Sequence, residues 1–378
     1  MKFSEVIGQV DAQQRLIKLV DEGRVPHAML FCGPPGCGKM ALAMAFASYL
    51  LCGNRHDGDS CGTCPQCVML RKWAHPDLHF TFPVIKPAGS SSDYTPVSDD
   101  FIREWYDLLV GGPYFTIEQW LDMLGATSQQ AIMTVKEADA VTHKLSLRSS
   151  QGGYKVSLIW LPERMNDATA NKLLKIIEEP PSQTVFLMVS EQPNMLLETI
   201  RSRTQRFDMT RLATGEIEEA LVRLRGIDAD AAHRIARYAE GDWLRAVDAL
   251  DAQSENKEFL EDFKTLTRKS FLRDVAGMAQ WSLDSSKYGR EKEKRMLAYF
   301  LRLIRESFMY NFHKEELNYM TTEEEQFVKN LAPYVNELNV LELSDLMSKA
   351  IIDIGRNCNG RMVFFDLALQ TTVLIRMK

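Results

Sequence analysis

A glycine-rich segment near the N-terminus has the composition of a phosphate-binding loop. Residues 33–40 read Gly-Pro-Pro-Gly-Cys-Gly-Lys-Met and fit the pattern G-x-x-x-x-G-K. In such a loop, successive backbone N–H groups form a concave site for phosphate oxygens, and the lysine reaches the terminal phosphates of a nucleotide. The residues predicted to contact a nucleotide are Gly33, Gly36, Gly38, Lys39 and Met40.

Two positions that would support a magnesium ion lack the residues that bind one. The residue after the loop lysine is normally Ser or Thr, whose hydroxyl binds Mg²⁺; here it is Met40, a thioether with little affinity for a hard cation. A second, acidic support is expected at the end of a later strand, but that strand ends Trp160-Leu161-Pro162-Glu163. Glu163 could be a displaced substitute for the acidic support, but it lies past the strand end and Pro162 disrupts the geometry, so we expect it to be exposed to solvent. The absence of both magnesium-binding residues argues against ATP hydrolysis. It leaves open whether the loop has only a structural role or binds nucleotide weakly.

Four cysteines follow the loop at the spacing Cys52-x8-Cys61-x2-Cys64-x2-Cys67. Four thiolates that close on one ion are typical of a structural, tetrahedral zinc site without an open catalytic position. In a chain of cytosolic character this spacing favours a metal over disulfides. His56 could replace one ligand, although a solvated loop residue is the simpler interpretation. Four free thiols are the less favoured alternative.

The elements around the loop predict an α/β nucleotide-binding fold. Short apolar runs predict strands, and periodic apolar positions predict helices. The predicted strands are 28–32, 78–82, 156–161 and 185–189, and the predicted helices include 10–22, 39–51, 135–147 and 167–179. A strand, a glycine loop and a helix form the first unit of such a fold. Apolar strands that alternate with helices predict a parallel sheet covered on both faces.

Residues 83–130 interrupt this alternation. They have loop composition and two short predicted helices, 101–110 and 116–124, which carry Trp105 and Trp120. We interpret them as an insertion whose aromatic side chains either cover the core or contact a partner.

The remainder of the chain is predicted to be helical. No strand pattern follows residue 211, and a charge-rich break is predicted at 284–294. Residues 295–314, which include His313 and Lys314, predict an amphipathic helix, and residues 364–375 predict a buried one.

Length and composition limit the class of protein. A chain of 378 residues favours two or three domains. Its net charge of −6 argues against a polyanion-binding role for the whole chain, so nucleic acid contact would need a local patch or partner subunits. We find no run of about 18 apolar residues and no apolar signal core at the N-terminus, so we expect a cytoplasmic protein that makes no membrane contact.

Several segments together resemble the bacterial clamp-loader AAA+ proteins. They are Phe3 with Val6-Ile7-Gly8-Gln9, His27-Ala28, the phosphate loop, residues 166–181 (NDATANKLLKIIEEPP) and Ile200-Arg201-Ser202-Arg203. The resemblance covers about residues 1–210. A defective ATP site combined with a retained Ser-Arg pair is similar to the delta-prime subunits of DNA polymerase III, whereas gamma/tau-like ATPase subunits, the alternative, would keep both magnesium supports.

The resemblance implies a fold and an assembly. The implied fold is an α/β P-loop AAA+ core (1–210) with an inserted zinc module (about 52–67) and the insertion (about 83–130), then an all-α lid (211–255) and an all-α collar (256–378). The implied role is that of a subunit that is not an enzyme by itself, in a pentameric ring with gamma/tau-like ATPases and a delta-like subunit. That ring would load a sliding clamp onto primer-template DNA in the bacterial cytoplasm.

The resemblance also implies roles for particular residues. The family's Ser-Arg-Cys motif falls on Ser202-Arg203-Thr204, with threonine in place of cysteine, and its arginine projects into the ATP site of a neighbouring subunit. The plainer interpretation of Arg203 is a surface ion pair. Ser190 and Arg245 match the family's two nucleotide-sensor regions, although a strand-end cap and a helix-surface charge explain them equally well. A stand-alone zinc-containing DNA-binding protein is disfavoured because no basic stripe is evident.

Overall fold

The computed structural model describes residues 1–87, 89–91, 93–126, 129–312, 320–356 and 358–377. The chain divides into two compact units, an N-terminal unit (Met1–Ala249) and a C-terminal unit (Leu250–Lys378). None of the helices within the described ranges combines the length and the apolar character that a membrane span requires.

A five-stranded parallel sheet forms the centre of the N-terminal unit. Its strands are β1 (Ala28–Cys32), β2 (Leu78–Thr81), β3 (Lys155–Trp160), β4 (Thr184–Ser190) and β5 (Gln205–Asp208), in the order β2-β3-β4-β1-β5. Every residue of β1, β3 and β4 is buried, because helices cover both faces of the sheet. Four strands agree with the sequence prediction. Strand β5 is not predicted from the sequence, because it is an edge strand in which only Phe207 is buried.

The helices of the N-terminal unit surround this sheet. They are α1 (Val10–Asp21), α2 (Lys39–Leu51), α3 (Pro65–Arg71), α4 (Ile102–Val110), α5 (Ile117–Met123), α6 (Val135–Ser146), α7 (Asp167–Glu178), α8 (Glu198–Arg201), α9 (Thr214–Arg225) and α10 (Ala229–Ala239). All residues of α2 are buried, as expected for a helix that is apolar on every side. Helix α11 (Trp243–Leu272) contains the boundary between the two units.

The insertion is part of the hydrophobic core of the N-terminal unit. The Trp105 ring stacks on Phe82 with centroids 4.2 Å apart and meets the Trp120 ring edge to face at 5.5 Å. Both tryptophans are fully buried, and Trp120 Nε1 donates a hydrogen bond of 2.8 Å to the carbonyl of Pro83. Aromatic rings in these geometries add attraction beyond the area they bury. The aromatic residues of the insertion therefore cover the core, one of the two roles that their composition suggested.

The C-terminal unit is helical in its described residues. After α11 come α12 (Val275–Ser285), α13 (Arg290–Tyr310), α14 (Thr322–Leu331), α15 (Val340–Gly355) and α16 (Gly360–Leu374). Phe300 and Phe364 are fully buried in its core. The predicted break at 284–294 is too long, because α13 already begins at Arg290. His313 and Lys314, assigned from sequence to the same helix, lie outside the described residues.

Replacing Trp105 with alanine should destabilise the N-terminal unit. The change removes a fully buried ring and leaves a cavity, for which a loss of about 3–5 kcal/mol in the free energy of unfolding is expected. Urea denaturation followed by circular dichroism measures this loss. Val110→Ala on the same helix is the control, since Val110 is 78% exposed and should change stability by less than about 0.5 kcal/mol. Equal effects of the two substitutions would mean that Trp105 is not a core residue.

Candidate functional site

The phosphate loop connects β1 to α2, as the sequence predicted, but its lysine is used inside the loop. Lys39 is 6% exposed, and its Nζ donates hydrogen bonds to the carbonyls of Gly33 at 3.0 Å and Pro34 at 2.7 Å. A buried ammonium must be hydrogen-bonded to be tolerated. Lys39 therefore holds the loop's own backbone in this structure.

The start of α11 packs directly on the glycines of the loop. Trp243 N donates to the Gly36 carbonyl at 3.3 Å, and a Cβ atom on Gly36 would lie 1.8 Å from Asp242 Oδ1. Gly36 also has a φ of +65°, so the short distance to Asp242 and the left-handed backbone both require glycine at this position. The Asp242 carboxylate accepts hydrogen bonds from Leu244 N (2.9 Å) and Arg245 N (3.3 Å), which caps α11. A fixed carboxylate thus lies against a loop whose composition suits an anion.

Tyr114 of the insertion closes the loop from another side. Its ring lies 3.3 Å from the position that a Cβ atom on Gly38 would occupy, and its centroid is 6.1 Å from that of Trp243. Its hydroxyl accepts a hydrogen bond of 3.0 Å from Ile7 N. Burial raises the pKa of Tyr114 to about 12, so the phenol is neutral at physiological pH. The sequence analysis did not single out Tyr114, because only the fold brings it to the loop.

The positions where metal supports would stand are apolar and buried. Met40, Trp160 and Leu161 are each at most 5% exposed and belong to one hydrophobic cluster. The Trp160 ring lies 5.3 Å from that of Trp105 and 5.1 Å from that of Phe115. A magnesium ion needs oxygen ligands and keeps several waters, and these side chains offer no oxygen ligand.

Glu163 differs from the sequence prediction. It is half-buried instead of solvent-exposed, and its Oε1 accepts hydrogen bonds from Glu191 N at 2.8 Å and Gln192 N at 3.0 Å. The short helical turn Pro162–Arg164 brings the carboxylate back over the end of β4, which the sequence analysis did not anticipate. Burial raises the pKa of the neighbouring Glu191, an effect that Lys39 opposes. Glu163 therefore fixes the loop after β4.

Ser190, one of the two predicted sensor residues, is fully buried at the end of β4. Within the described residues its Oγ has no hydrogen-bond partner. Arg245, the other one, is exposed and pairs with Glu240 at 3.0 Å, so it is a surface charge of the N-terminal unit.

The four cysteines converge, as their spacing predicted. Their sulfur atoms all lie within 4.8 Å of one another, with Cys52–Cys61 at 3.6 Å and Cys52–Cys64 and Cys61–Cys67 both at 3.9 Å. Four sulfurs placed tetrahedrally at 2.3 Å from one zinc ion would be about 3.8 Å apart. This set of residues could therefore hold a metal ion. His56 is exposed and faces Asp57 instead, at 3.0 Å.

Backbone N–H groups surround the cysteine sulfurs. Cys61 Sγ accepts from Cys64 N at 3.3 Å and Thr63 N at 3.5 Å, and Cys52 Sγ accepts from Asn54 N at 3.4 Å. The hydrogen bonds to Cys61 lower the pKa of its thiol to about 5. Hydrogen bonds to the charged form stabilise a thiolate, which is the form that binds metal. Burial raises the pKa of the Cys52 thiol, so the four thiols do not ionise equally.

The cysteine module also holds the N-terminal segment. Asp59 accepts hydrogen bonds from Phe3 N at 2.8 Å and Ser4 N at 3.1 Å. Further along this segment, Gln9 Nε2 donates to the carbonyls of Cys37 at 3.2 Å and Thr210 at 2.7 Å. The module is thereby linked through the N-terminus to the phosphate loop. Sequence spacing gives no signal for these contacts, which join residues far apart in the chain.

Arg203 lies on the surface at the end of α8, in an ion pair. Its side chain is 39% exposed, and its Nε lies 2.5 Å from Glu178 Oε1. Its Nη1 donates to the Thr199 carbonyl at 3.0 Å and to Ser202 Oγ at 3.4 Å. The neighbouring Arg201 pairs separately with Glu198. The Ser-Arg pair is thus accessible and ordered.

Comparison with known proteins identifies the family. Residues 8–213 match the family model described as "DNA polymerase III, delta subunit", which is more than half of the chain, so the chain belongs to this family. DNA polymerase III subunit delta' of Yersinia pestis is 32% identical over 192 residues, which are 50% of this chain and 43% of that protein. The delta' subunit of Pseudomonas aeruginosa is 34% identical over 177 residues, which are 47% of this chain and 41% of that protein. Subunit gamma/tau of Mycobacterium tuberculosis is 29% identical over 222 residues, which are 59% of this chain and 31% of that protein. The matched segment spans less than half the length of each relative.

Solved structures show only weak likeness. A gamma subunit-related protein from Thermotoga maritima aligns over 96% of this chain and 99% of its own, with 13% identity and a TM-score of 0.32. The RuvB Holliday junction branch migration motor of the same organism aligns over 68% of this chain and 63% of its own, with 17% identity and a TM-score of 0.37. With scores this low, the family assignment rests on the sequence match.

Replacing Lys39 with methionine should destabilise the isolated chain. The substitution leaves the Gly33 and Pro34 carbonyls without their donor, for which a loss of about 1–3 kcal/mol in the free energy of unfolding is expected. Chemical denaturation without added nucleotide measures it. Lys18→Met, at a side chain that is 75% exposed, is the control and should have little effect. If the two variants were equally stable, Lys39 would not support the loop.

Proposed function

We propose that this chain is a non-hydrolysing, delta-prime-type subunit of a DNA polymerase III clamp loader. Family membership supports the class. The observation that carries the absence of hydrolysis is that the two positions where magnesium supports would stand hold the buried apolar side chains of Met40, Trp160 and Leu161, which offer no oxygen ligand. Phosphoryl transfer depends on positioning and charge stabilisation by the metal, so this loss removes the main contributors to the rate.

The active contribution of the chain is Arg203, which it donates to the ATP site of a neighbouring ATPase subunit. A guanidinium there stabilises the charge that develops on the γ-phosphate, and such a residue contributes roughly 10³–10⁵ in rate in other systems. The exposure of Arg203 and the adjoining Ser202 support this role. A surface ion pair without a catalytic role is the plainer explanation of the position of Arg203. The role as an arginine finger therefore requires a kinetic test.

The C-terminal helices act as the collar through which the chain joins a pentameric ring with gamma/tau-like ATPases and a delta-like subunit. The complex loads a sliding clamp onto primer-template DNA in the cytoplasm. The extensive helical core of the C-terminal unit supports a scaffold role. Within this role the phosphate loop is structural, because Lys39, Asp242 and Tyr114 already satisfy or cover it.

Zinc is the metal that the four cysteines hold. Their sulfur separations and the backbone donors around them suit a tetrahedral thiolate site. When bound, the ion supplies structural cross-linking and no open coordination position. Cys52 at the end of α2 and Cys64 at the start of α3 would then be tied together.

The experiment that tests this function is steady-state ATP hydrolysis in a single-finger complex. In that complex the partner ATPase subunits carry alanine at their own Ser-Arg arginines, so Arg203 is the one finger remaining. We expect no turnover by the isolated chain, and a fall of about 10³-fold or more when Arg203→Ala is introduced into the complex. Unchanged turnover in that variant would overturn the finger. Magnesium-dependent turnover by the chain alone, abolished by Lys39→Ala, would instead favour a gamma/tau-like ATPase.

The purified chain should contain about one zinc ion, held by all four cysteines. Cys61→Ser should abolish zinc retention and lower the melting temperature, because a structural site contributes its binding free energy to folding. Elemental analysis and thermal denaturation measure the two effects. Cys358→Ser, at an exposed cysteine, and His56→Ala are matched controls that should retain zinc. Loss of zinc from the His56 variant would contradict an all-cysteine site.

A further inference from the structure

We propose that Glu178 is a positioning residue that aims Arg203 at the neighbouring ATP site. This inference rests on the proposed arginine-finger function and assigns a role to the last residue of α7. Glu178 does not touch the nucleotide in this proposal. It acts by fixing the guanidinium in one orientation before the subunits meet.

The contact between Glu178 and Arg203 joins two separate elements. Glu178 ends α7, and Arg203 follows α8, so the pair fixes the orientation of one element relative to the other. The pair between Arg201 and Glu198 differs, because those residues are three positions apart within one helical turn. That second pair cannot orient anything outside its own turn.

The geometry divides the donors of the guanidinium. Arginine carries five N–H donors in a rigid planar fork. On Arg203, Nε lies 2.5 Å from Glu178 Oε1 in an ion pair, and Nη1 donates to the Thr199 carbonyl and to Ser202 Oγ. In the described part of the chain, Nη2 makes no hydrogen bond. Two of the three guanidinium nitrogens, Nε and Nη1, therefore contact this chain. The third, Nη2, is left to bind an anion that another subunit presents.

The position of Glu178 is unfavourable by itself. A carboxylate at the last residue of a helix faces the negative end of the helix dipole. Arg203 offsets this repulsion. Exposed ion pairs contribute little to stability, so Glu178 can be replaced with little effect on folding. Orientation matters for a finger, since a displacement of about 1 Å can reduce a rate by about 100-fold.

The test uses the single-finger complex with three substitutions at acidic positions. Glu178→Gln keeps the size of the side chain and removes its charge, and should lower kcat about tenfold without changing KM for ATP. Glu178→Asp keeps the charge and should recover part of the rate. Glu198→Gln, which removes the partner of Arg201, is the matched control and should leave the rate unchanged.

A double-mutant cycle separates this inference from the function on which it rests. In the Arg203→Ala background, Glu178→Gln should have no further effect, because both residues act through one guanidinium. The melting temperature of the chain and its assembly into the complex should be the same for all variants. These two readouts exclude a merely structural effect.

The outcomes are distinct. If Arg203→Ala abolishes turnover while Glu178→Gln has full activity, or greater activity, the positioning role is overturned and the finger remains. If Glu178→Gln also slows the Arg203→Ala complex, Glu178 acts by another route and the inference is overturned. If neither substitution changes turnover, the finger and its positioning residue both fail.

Discussion

The apolar contact between Trp160 at the end of β3 and the rings of the insertion is the constraint on which the rest of the candidate site depends. Trp160 contacts the rings of Trp105 and Phe115, and Met40, the residue after the loop lysine, is buried in the same hydrophobic cluster. A hydrated divalent cation cannot share a space lined by such groups without a large desolvation cost. The insertion therefore packs against the residue that stands where an acidic ligand would be expected.

Polar side chains in and around the phosphate loop bond to the protein itself. Lys39 binds the loop carbonyls, Asp242 caps α11 beside Gly36, and Tyr114 receives the N–H of Ile7. The first contact lies within the loop, whereas Asp242 and Tyr114 bring α11 and the insertion against its glycines. A loop that elsewhere depends on a bound nucleotide for its contacts is here stabilised by side chains of the same chain. Arg203, in contrast, is partly exposed at the surface.

Much of the core was predictable, because β1, β3 and β4 are uninterrupted apolar runs and α2 follows directly from the glycine loop. The cysteine cluster was predictable because local spacing limits where its sulfurs can go. The contacts of Tyr114 with Ile7 and of Asp242 with Gly36 were not, since each joins residues separated by more than a hundred positions. Glu163 was wrongly expected in solvent because its two hydrogen bonds come from the loop after β4.

The account depends most on the claim that the phosphate loop has no working metal support. The most direct test is calorimetric titration of the isolated chain with a non-hydrolysable ATP analogue, with and without Mg²⁺. If Met40, Trp160 and Leu161 have replaced the metal site, Mg²⁺ will not increase affinity for the nucleotide, whether or not weak binding occurs. An affinity that rises about tenfold or more with Mg²⁺, and that Lys39→Ala abolishes, would contradict the account.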